Sequence, residues 1–192
     1  MRVWGEDKRR PCYMLRCRKL LVWELPEGTK KMKVEDIMTR DVRSCAPEES
    51  LSTAAQIMWE VDCGAVPVVD TERRVIGIIT DRDICMASHL QGVTLGQASV
   101  GSAMARDIKC CTPQDTPVTV QALMQQHKIR RVPVVDAEKR LIGIITLADM
   151  AYILGSSQTL GGDGMTWSAV GHTLAGVCEP RAGRYNSRYG TR

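Results

Sequence analysis

The eleven residues RVIGIITDRDI at 74–84 return as RLIGIITLADM at 140–150, and this repetition constrains the fold more than any other feature of the chain. At that offset residues 34–87 align with 100–153 without a gap. Met38 falls on Met104, Asp41 on Asp107, Cys45 on Cys111, Pro47 on Pro113 and Met58 on Met124. VPVVD at 66–70 recurs at 132–136, and in all 21 of 54 aligned positions are identical. A biased composition does not hold one register that long. The chain is a tandem repeat of one folding unit.

Inside each repeat the hydrophobic period changes in a fixed order. LSTAAQIMWEV (51–61) puts Leu51, Ala54, Ala55, Met58 and Val61 on one face at helical spacing, after a polar, capping-type PEES. AVPVVD (65–70) and RVIGIIT (74–80) are β-branched runs joined by TER, which predicts a hairpin. DRDICMASHL (81–90) turns helical again. The second repeat copies the order with TVQALMQQH (119–127), RVPVVD (131–136), RLIGIIT (140–146) and LADMAYIL (147–154). A short strand is expected near 42–45 and near 108–111. Each repeat is therefore β-α-β-β-α, in the α/β (α+β) class. About 55 residues bury their surface poorly alone, so two copies sharing one core supply a stability reason for the duplication. The expected boundaries are 32–90 and 100–154, with a linker at 91–99.

Composition excludes several classes. With 192 residues, 44% hydrophobic and 25% charged, the chain has an ordinary globular make-up. No window reaches the ~18 apolar residues that a membrane helix needs. The basic start lacks the apolar core and cleavage site of a secretory leader. Five of the eight cysteines (Cys45, Cys63, Cys85, Cys110 and Cys111) sit in apolar segments, and no spaced CxxC or histidine set suggests a metal. Inert core thiols and a reducing cytoplasm are the expectation. The net charge of +4 is unevenly placed: residues 1–31 carry +5, 32–154 carry −3 and 155–192 carry +2. The repeated core is thus mildly acidic, without the basic face of a nucleic-acid reader.

The ends follow neither repeat. Residues 1–31 are read as a basic extension, disordered or translated from a start upstream of Met32. GSSQTLGGDG (155–164) reads as a flexible linker within a 155–192 tail. Val170, Leu174 and Val177 predict a short docking helix over 165–177, followed by a disordered terminus.

The repeated stretch carries chemistry as well as structure. Gly77 and Gly143 lie inside strands, where glycine weakens packing unless something approaches the backbone closely. Three residues on comes Thr80 or Thr146 at a strand end, and three further Asp83 or Asp149 in the first turn of a helix. A hydroxyl and a carboxylate meet there beside a helix N-terminus. A carboxylate suits a vicinal diol such as ribose, and the exposed N–H groups favour phosphate. A second reading needs no ligand: Thr80 caps the helix and Asp83 closes a capping box. Both readings stay open on these residues.

The pattern M-T-x-x-V, P, VPVVD and then GIIT-x-x-D closely resembles the CBS (cystathionine β-synthase) domain, and two in tandem resemble a Bateman module. The resemblance covers about 120 of the 192 residues. It implies a pseudo-twofold module with two clefts for adenosyl ligands (AMP, ADP, ATP or S-adenosylmethionine), commonly a homodimer. Carried over, Thr80, Asp83, Thr146 and Asp149 would hold ribose. Backbone at Ser44–Cys45, Ala65–Val66, Cys110–Cys111 and Arg131–Val132 would frame adenine.

Sensing is implied and no catalytic group appears: the chain is expected not to be an enzyme and to hold no metal. The phosphate candidates differ between copies. Asp81-Arg82 stands where the second repeat has Leu147-Ala148, and Gly64-Ala65 where it has Arg130-Arg131, so Arg82, Arg130 and Arg131 predict unequal clefts. The competing function is a protein- or nucleic-acid-interaction module with no required small ligand.

Overall fold

The computed structural model describes residues 31–156 and 165–179; the expectations for 1–30, for most of the glycine-rich linker and for the terminus lie outside the described residues. The elements in chain order are α1 (Val34–Ile37), α2 (Leu51–Glu60), β1 (Ala65–Val69), β2 (Val75–Thr80) and α3 (Asp81–Gln91). They continue with α4 (Pro117–His127), β3 (Arg131–Val135), β4 (Leu141–Thr146), α5 (Leu147–Ser156) and α6 (Trp167–Cys178). Each repeat thus holds helix, hairpin, helix, an α+β unit with two-stranded sheets β1–β2 and β3–β4. The early strand of each repeat shrinks to one parallel bridge, Cys45 with Val68 and Cys111 with Val134. Backbone detail is duplicated too. The left-handed residues Asp62 and Arg73 recur at the matching positions Lys128 and Lys139. Only a shared turn geometry makes two such pairs, since L-residues avoid that region.

The described chain divides into two compact units. Unit 1 comprises 43–68 and 77–105. Its core is Cys45, Leu51, Ile57, Met58, Val66, Val68, Ile79, Ile84, Val100 and Met104. Ser50 caps α2 by accepting the Thr53 N–H at 3.1 Å, and the Leu51 N–H donates to the Ala98 carbonyl at 2.9 Å.

Unit 2 comprises 31–42, 69–76 and 106–179 of the described residues. Its core is Val34, Ile37, Val120, Met124, Val132, Val134, Ile145, Met150, Met165 and Val170. The β3–β4 register is Arg131 with Thr146, Val132 with Ile145 and Pro133 with Ile144, with a bulge at Val134/Val135. α6 packs on α4 and α5. Its buried face differs from the sequence expectation. Val170 is buried, but Leu174 is 47% exposed and Thr173 fills the seam at 1%. The reason is hydrogen bonding: the Thr173 hydroxyl satisfies itself on the Ala169 carbonyl at 2.8 Å, so it can be buried as readily as an aliphatic group.

The units are cross-completed along the sequence. The segment opening the first repeat packs in unit 2, where Thr39 and Ile144 exchange two backbone bonds of 2.9 Å. The segment opening the second packs in unit 1, where Ile78 and Ala105 exchange bonds of 3.1 and 2.9 Å. This is the use of the two strand glycines. A Cβ on Gly77 would lie 2.5 Å from Met104 Sδ, and one on Gly143 2.7 Å from Met38 Sδ. The close approach expected at these positions is made by the protein's own methionine and backbone.

Candidate functional site

In unit 1, β2 ends on Thr80, which is also the N-cap of α3, so strand end and helix start are one residue. Asp83 Oδ2 accepts from the Thr80 N–H at 3.0 Å and from the Thr80 hydroxyl at 2.7 Å. Thr80 Oγ1 in turn accepts from the Asp83 N–H at 3.2 Å. In unit 2 the arrangement is copied: Asp149 Oδ2 accepts from the Thr146 N–H at 2.8 Å, and Thr146 Oγ1 accepts from the Asp149 N–H at 3.1 Å. The capping reading is therefore real in both copies. It does not exhaust the carboxylates. In each, one oxygen carries the box, while Oδ1 has no hydrogen-bond partner among the described residues. An acceptor fixed in direction by its own helix is what a donor pair such as a diol requires.

The surroundings differ. Asp149 is half-buried, and this burial pushes its carboxyl above the ordinary range, against the lowering by its bonds to Thr146. In unit 1 Asp81 and Arg82 are exposed, and Asp81 Oδ1 accepts the Arg82 N–H at 2.7 Å, placing a negative charge on an N-terminal donor of α3. In unit 2 the matching Leu147 is 7% exposed and its N–H donates to the Arg130 carbonyl at 3.0 Å. Arg131 pairs with Thr146 across the strands, which sets the two residues level in the hairpin. Arg130 is exposed and Arg131 half-buried.

The expected adenine-framing positions divide into used and unused backbone. The Cys45 N–H donates to the Pro67 carbonyl at 3.1 Å. The Cys111 N–H donates to the Pro133 carbonyl at 3.0 Å, and its carbonyl accepts from Val135 at 2.9 Å. Those groups are occupied by the sheet. Ser44 and Cys110, one residue earlier, make no backbone hydrogen bond among the described residues. Ala65, Val66 and Val132 are buried strand residues. Because Cys111 bridges Val134, three strand residues (~10 Å) separate its level from Arg131 and Thr146, a span suited to a nucleoside. A pocket of about 300 Å³ opens beside Cys110 and Cys111, with Asp115, Thr119 and Leu123 on its walls. Burial raises the Cys45 thiol to about 11 and the Cys111 thiol to about 12, so neither is a nucleophile. None of the six described cysteines forms a disulfide, and no metal-binding cluster occurs among the described residues.

Sequence reasoning missed two parts of the site. The burial of Asp149 depends on three-dimensional packing. The bond from the Arg82 N–H to Asp81 lies within the Asp-Arg pair, which the sequence marks only as a difference between the two copies.

Comparison with known proteins places these features. The CBS domain family matches residues 34–90 and again 100–156. CBS domain-containing protein YhcV of Bacillus subtilis is 36% identical over 129 residues, 67% of this chain and 89% of its own. Hypoxic response protein 1 of Mycobacterium tuberculosis is 39% identical over 119 residues, 60% of this chain and 80% of its own. Among solved structures, the CBS domain pair of protein MJ0100, in complex with 5′-methylthioadenosine and S-adenosyl-L-methionine, is 26% identical. It has a TM-score of 0.60 and covers 65% of this chain and 97% of that one. CBSX2 in complex with AMP is 26% identical with a TM-score of 0.56, covering 63% and 94%.

Proposed function

This chain belongs to the CBS domain family, and from that premise we propose that it is a regulatory module that binds an adenosyl ligand. The observation that carries the reading is the pair of Thr–Asp sets, each holding one carboxylate oxygen at a fixed direction with no partner among the described residues. The solved relatives bound to 5′-methylthioadenosine, S-adenosylmethionine and AMP support the chemical class. Ser44 and Cys110 offer unused backbone for an adenine edge, and Thr80, Asp83, Thr146 and Asp149 take the ribose. Arg131 serves a phosphate in unit 2. Arg82, beside the acidic Asp81, serves one less well, and exposed Arg130 adds to the field. No step of bond making is assigned, and the ligand acts by shifting the population of module or homodimer shapes.

Calorimetry and thermal shift with AMP, ADP, ATP, S-adenosylmethionine and 5′-methylthioadenosine test the reading, with GMP as the control. A ligand at a hundredfold excess over its Kd stabilises by about 2.7 kcal/mol. Absence of heat and of any shift with all five at millimolar concentration defeats it. The second reading, an interaction module with no required ligand, rests on the closed capping boxes, which need nothing further to be stable. Light scattering on the full chain tests the homodimer.

A further inference from the structure

α6 lies outside both repeats, and the surface it covers on α4 is unlike an ordinary helix seam. On α4, Gln125 and Lys128 meet α6 and the residue that follows it, and Gln121 shares their helix face at i, i+4 and i+7 spacing. Gln125 Nε2 donates to Thr173 Oγ1 at 3.3 Å, and Lys128 Nζ meets Glu179 Oε2 at 3.1 Å. Gln121 is 5% exposed, yet its Nε2 has no hydrogen-bond partner among the described residues. Apolar contact is partial. Val170 is the one hydrophobic residue of α6 that is buried among the described residues; Val177 packs half-buried on the core, Trp167 lays a ring edge beside Gly155 of α5 while staying 59% exposed, and Leu174 is 47% exposed. Beside the seam runs an open groove of about 700 Å³, lined by Ala122, Gln125, Gln126, His172, Gly176 and Glu179. α6 also contains Gly171 and Gly176, which weaken a helix of only 12 residues. The matching positions of the first repeat are Ala55, Trp59 and Asp62, so the polar stripe belongs to the second repeat alone.

We propose that α6 is a reversible cap on α4 that undocks and unfolds by itself while the rest of unit 2 stays folded, with Gln121 as the residue that keeps docking weak. Docked, α6 hides an amide that water would otherwise satisfy; undocked, it releases the Gln121–Gln125–Lys128 stripe to solvent. A buried amide without a partner favours the open state, and the Thr173 and Lys128 contacts favour the closed one. The balance makes this face switchable.

Hydrogen exchange on the full chain tests the proposal by comparing α6 amides (Val170–Val177) with those of β3 and β4. The α6 amides should exchange through an opening that leaves the hairpin protected. Gln121→Leu should slow α6 exchange by about five- to a hundredfold, the range for removing one desolvated, unpaired amide. Gln121→Met, closer in shape, should act in the same direction should the leucine variant fold poorly. Val170→Ala should speed α6 exchange and leave β3 and β4 unchanged. Equal protection of α6 and the hairpin with the same denaturant dependence would overturn the cap. So would Gln121→Leu and Gln121→Met variants whose α6 exchange is unchanged or faster, because the amide would then be stabilising the closed state.

Discussion

Substituting Gly143 by alanine separates a packing role for the strand glycine from a ligand-access role. The new Cβ would lie 2.7 Å from Met38 Sδ, 3.3 Å from Met38 Cγ and 3.0 Å from the Thr39 carbonyl oxygen. The sulfur sits on a flexible side chain and can swing away. The carbonyl cannot, because Thr39 and Ile144 are tied by two bonds of 2.9 Å. Overpacking of this kind costs ~1–3 kcal/mol. Reduced freedom of the unfolded chain returns ~0.4–1 kcal/mol. Taken from the middle of each range, the net loss is about 1–2 kcal/mol if the bridge survives. If the bridge breaks, each lost hydrogen bond adds ~0.5–1.5 kcal/mol. For a chain of this size the smaller figure lowers Tm by roughly 2–8 °C. Gly77→Ala is the companion, since its nearest neighbours are Met104 Sδ at 2.5 Å and Cγ at 3.1 Å, with the Ala105 carbonyl further off at 3.3 Å. Adding Met104→Ala should therefore recover more of the Gly77→Ala loss than Met38→Ala recovers for Gly143→Ala, a coupling read by double-mutant cycles. Thermal unfolding with and without nucleotide supplies the measurements. An unchanged Tm for Gly143→Ala would refute the packing argument. Were nucleotide binding lost at that unchanged Tm, the glycine would be serving the ligand instead.

Three further outcomes follow from the site. Burial raises the Asp149 carboxyl above 3.8, so the folded state takes that proton first. The resulting stability is complete below about pH 3.8 and is lost as pH rises through the raised folded value. Urea midpoints over a pH series should show the wild type losing ground to Asp149→Asn across that window, and a constant difference would contradict it. Changing Asp83 and Asp149 together to Ala should abolish nucleotide binding, each charge-assisted bond being worth ~1.5–3 kcal/mol. A lowered melting point with unchanged affinity would reduce both residues to caps. At pH 8 the thiolate fractions of Cys45 and Cys111, with values of about 11 and about 12, are only ~10⁻³ and ~10⁻⁴. Iodoacetamide should modify the exposed Cys85 and Cys178 before Cys45 and Cys111, and early loss of Cys111 would show that unit 2 opens readily.

The repeat, both hairpins and the helices that follow them were legible because their signals are local. β-branched runs broken by TER or AEK, and Thr-x-x-Asp at a strand end, state their structure within a few residues. The early strands were over-read. VRSC and IKCC have strand composition, but only Cys45 and Cys111 find a partner, through bridges to residues more than twenty positions away. The same distance problem hid Met38 and Met104. Nothing near them in sequence says that they lie against Gly143 and Gly77, so the glycines suggested a ligand where the chain itself closes in. Thr173 was passed over because a polar residue in an apolar stripe reads as surface until its bond to Ala169 is seen.

The cross-completion of the two units dictates an order of assembly during synthesis. Residues 31–42 are made before either hairpin, yet Thr39 must wait for Ile144, roughly a hundred positions later, to find its bridge. Val34 and Ile37, buried in the finished unit, stay uncovered on the nascent chain for that interval. Unit 1 has a shorter wait: the strand holding Ile78 is finished once Ala105 arrives. Unit 1 should therefore close while unit 2 is still collecting its parts, and loop closure over so long a span makes the second event the slow one. Release of the first repeat alone from the ribosome, by a premature stop near residue 92, would strand Met38 without its glycine and Gly77 without its methionine. Each duplicated half in this sense carries the methionine that closes over the other half's strand glycine.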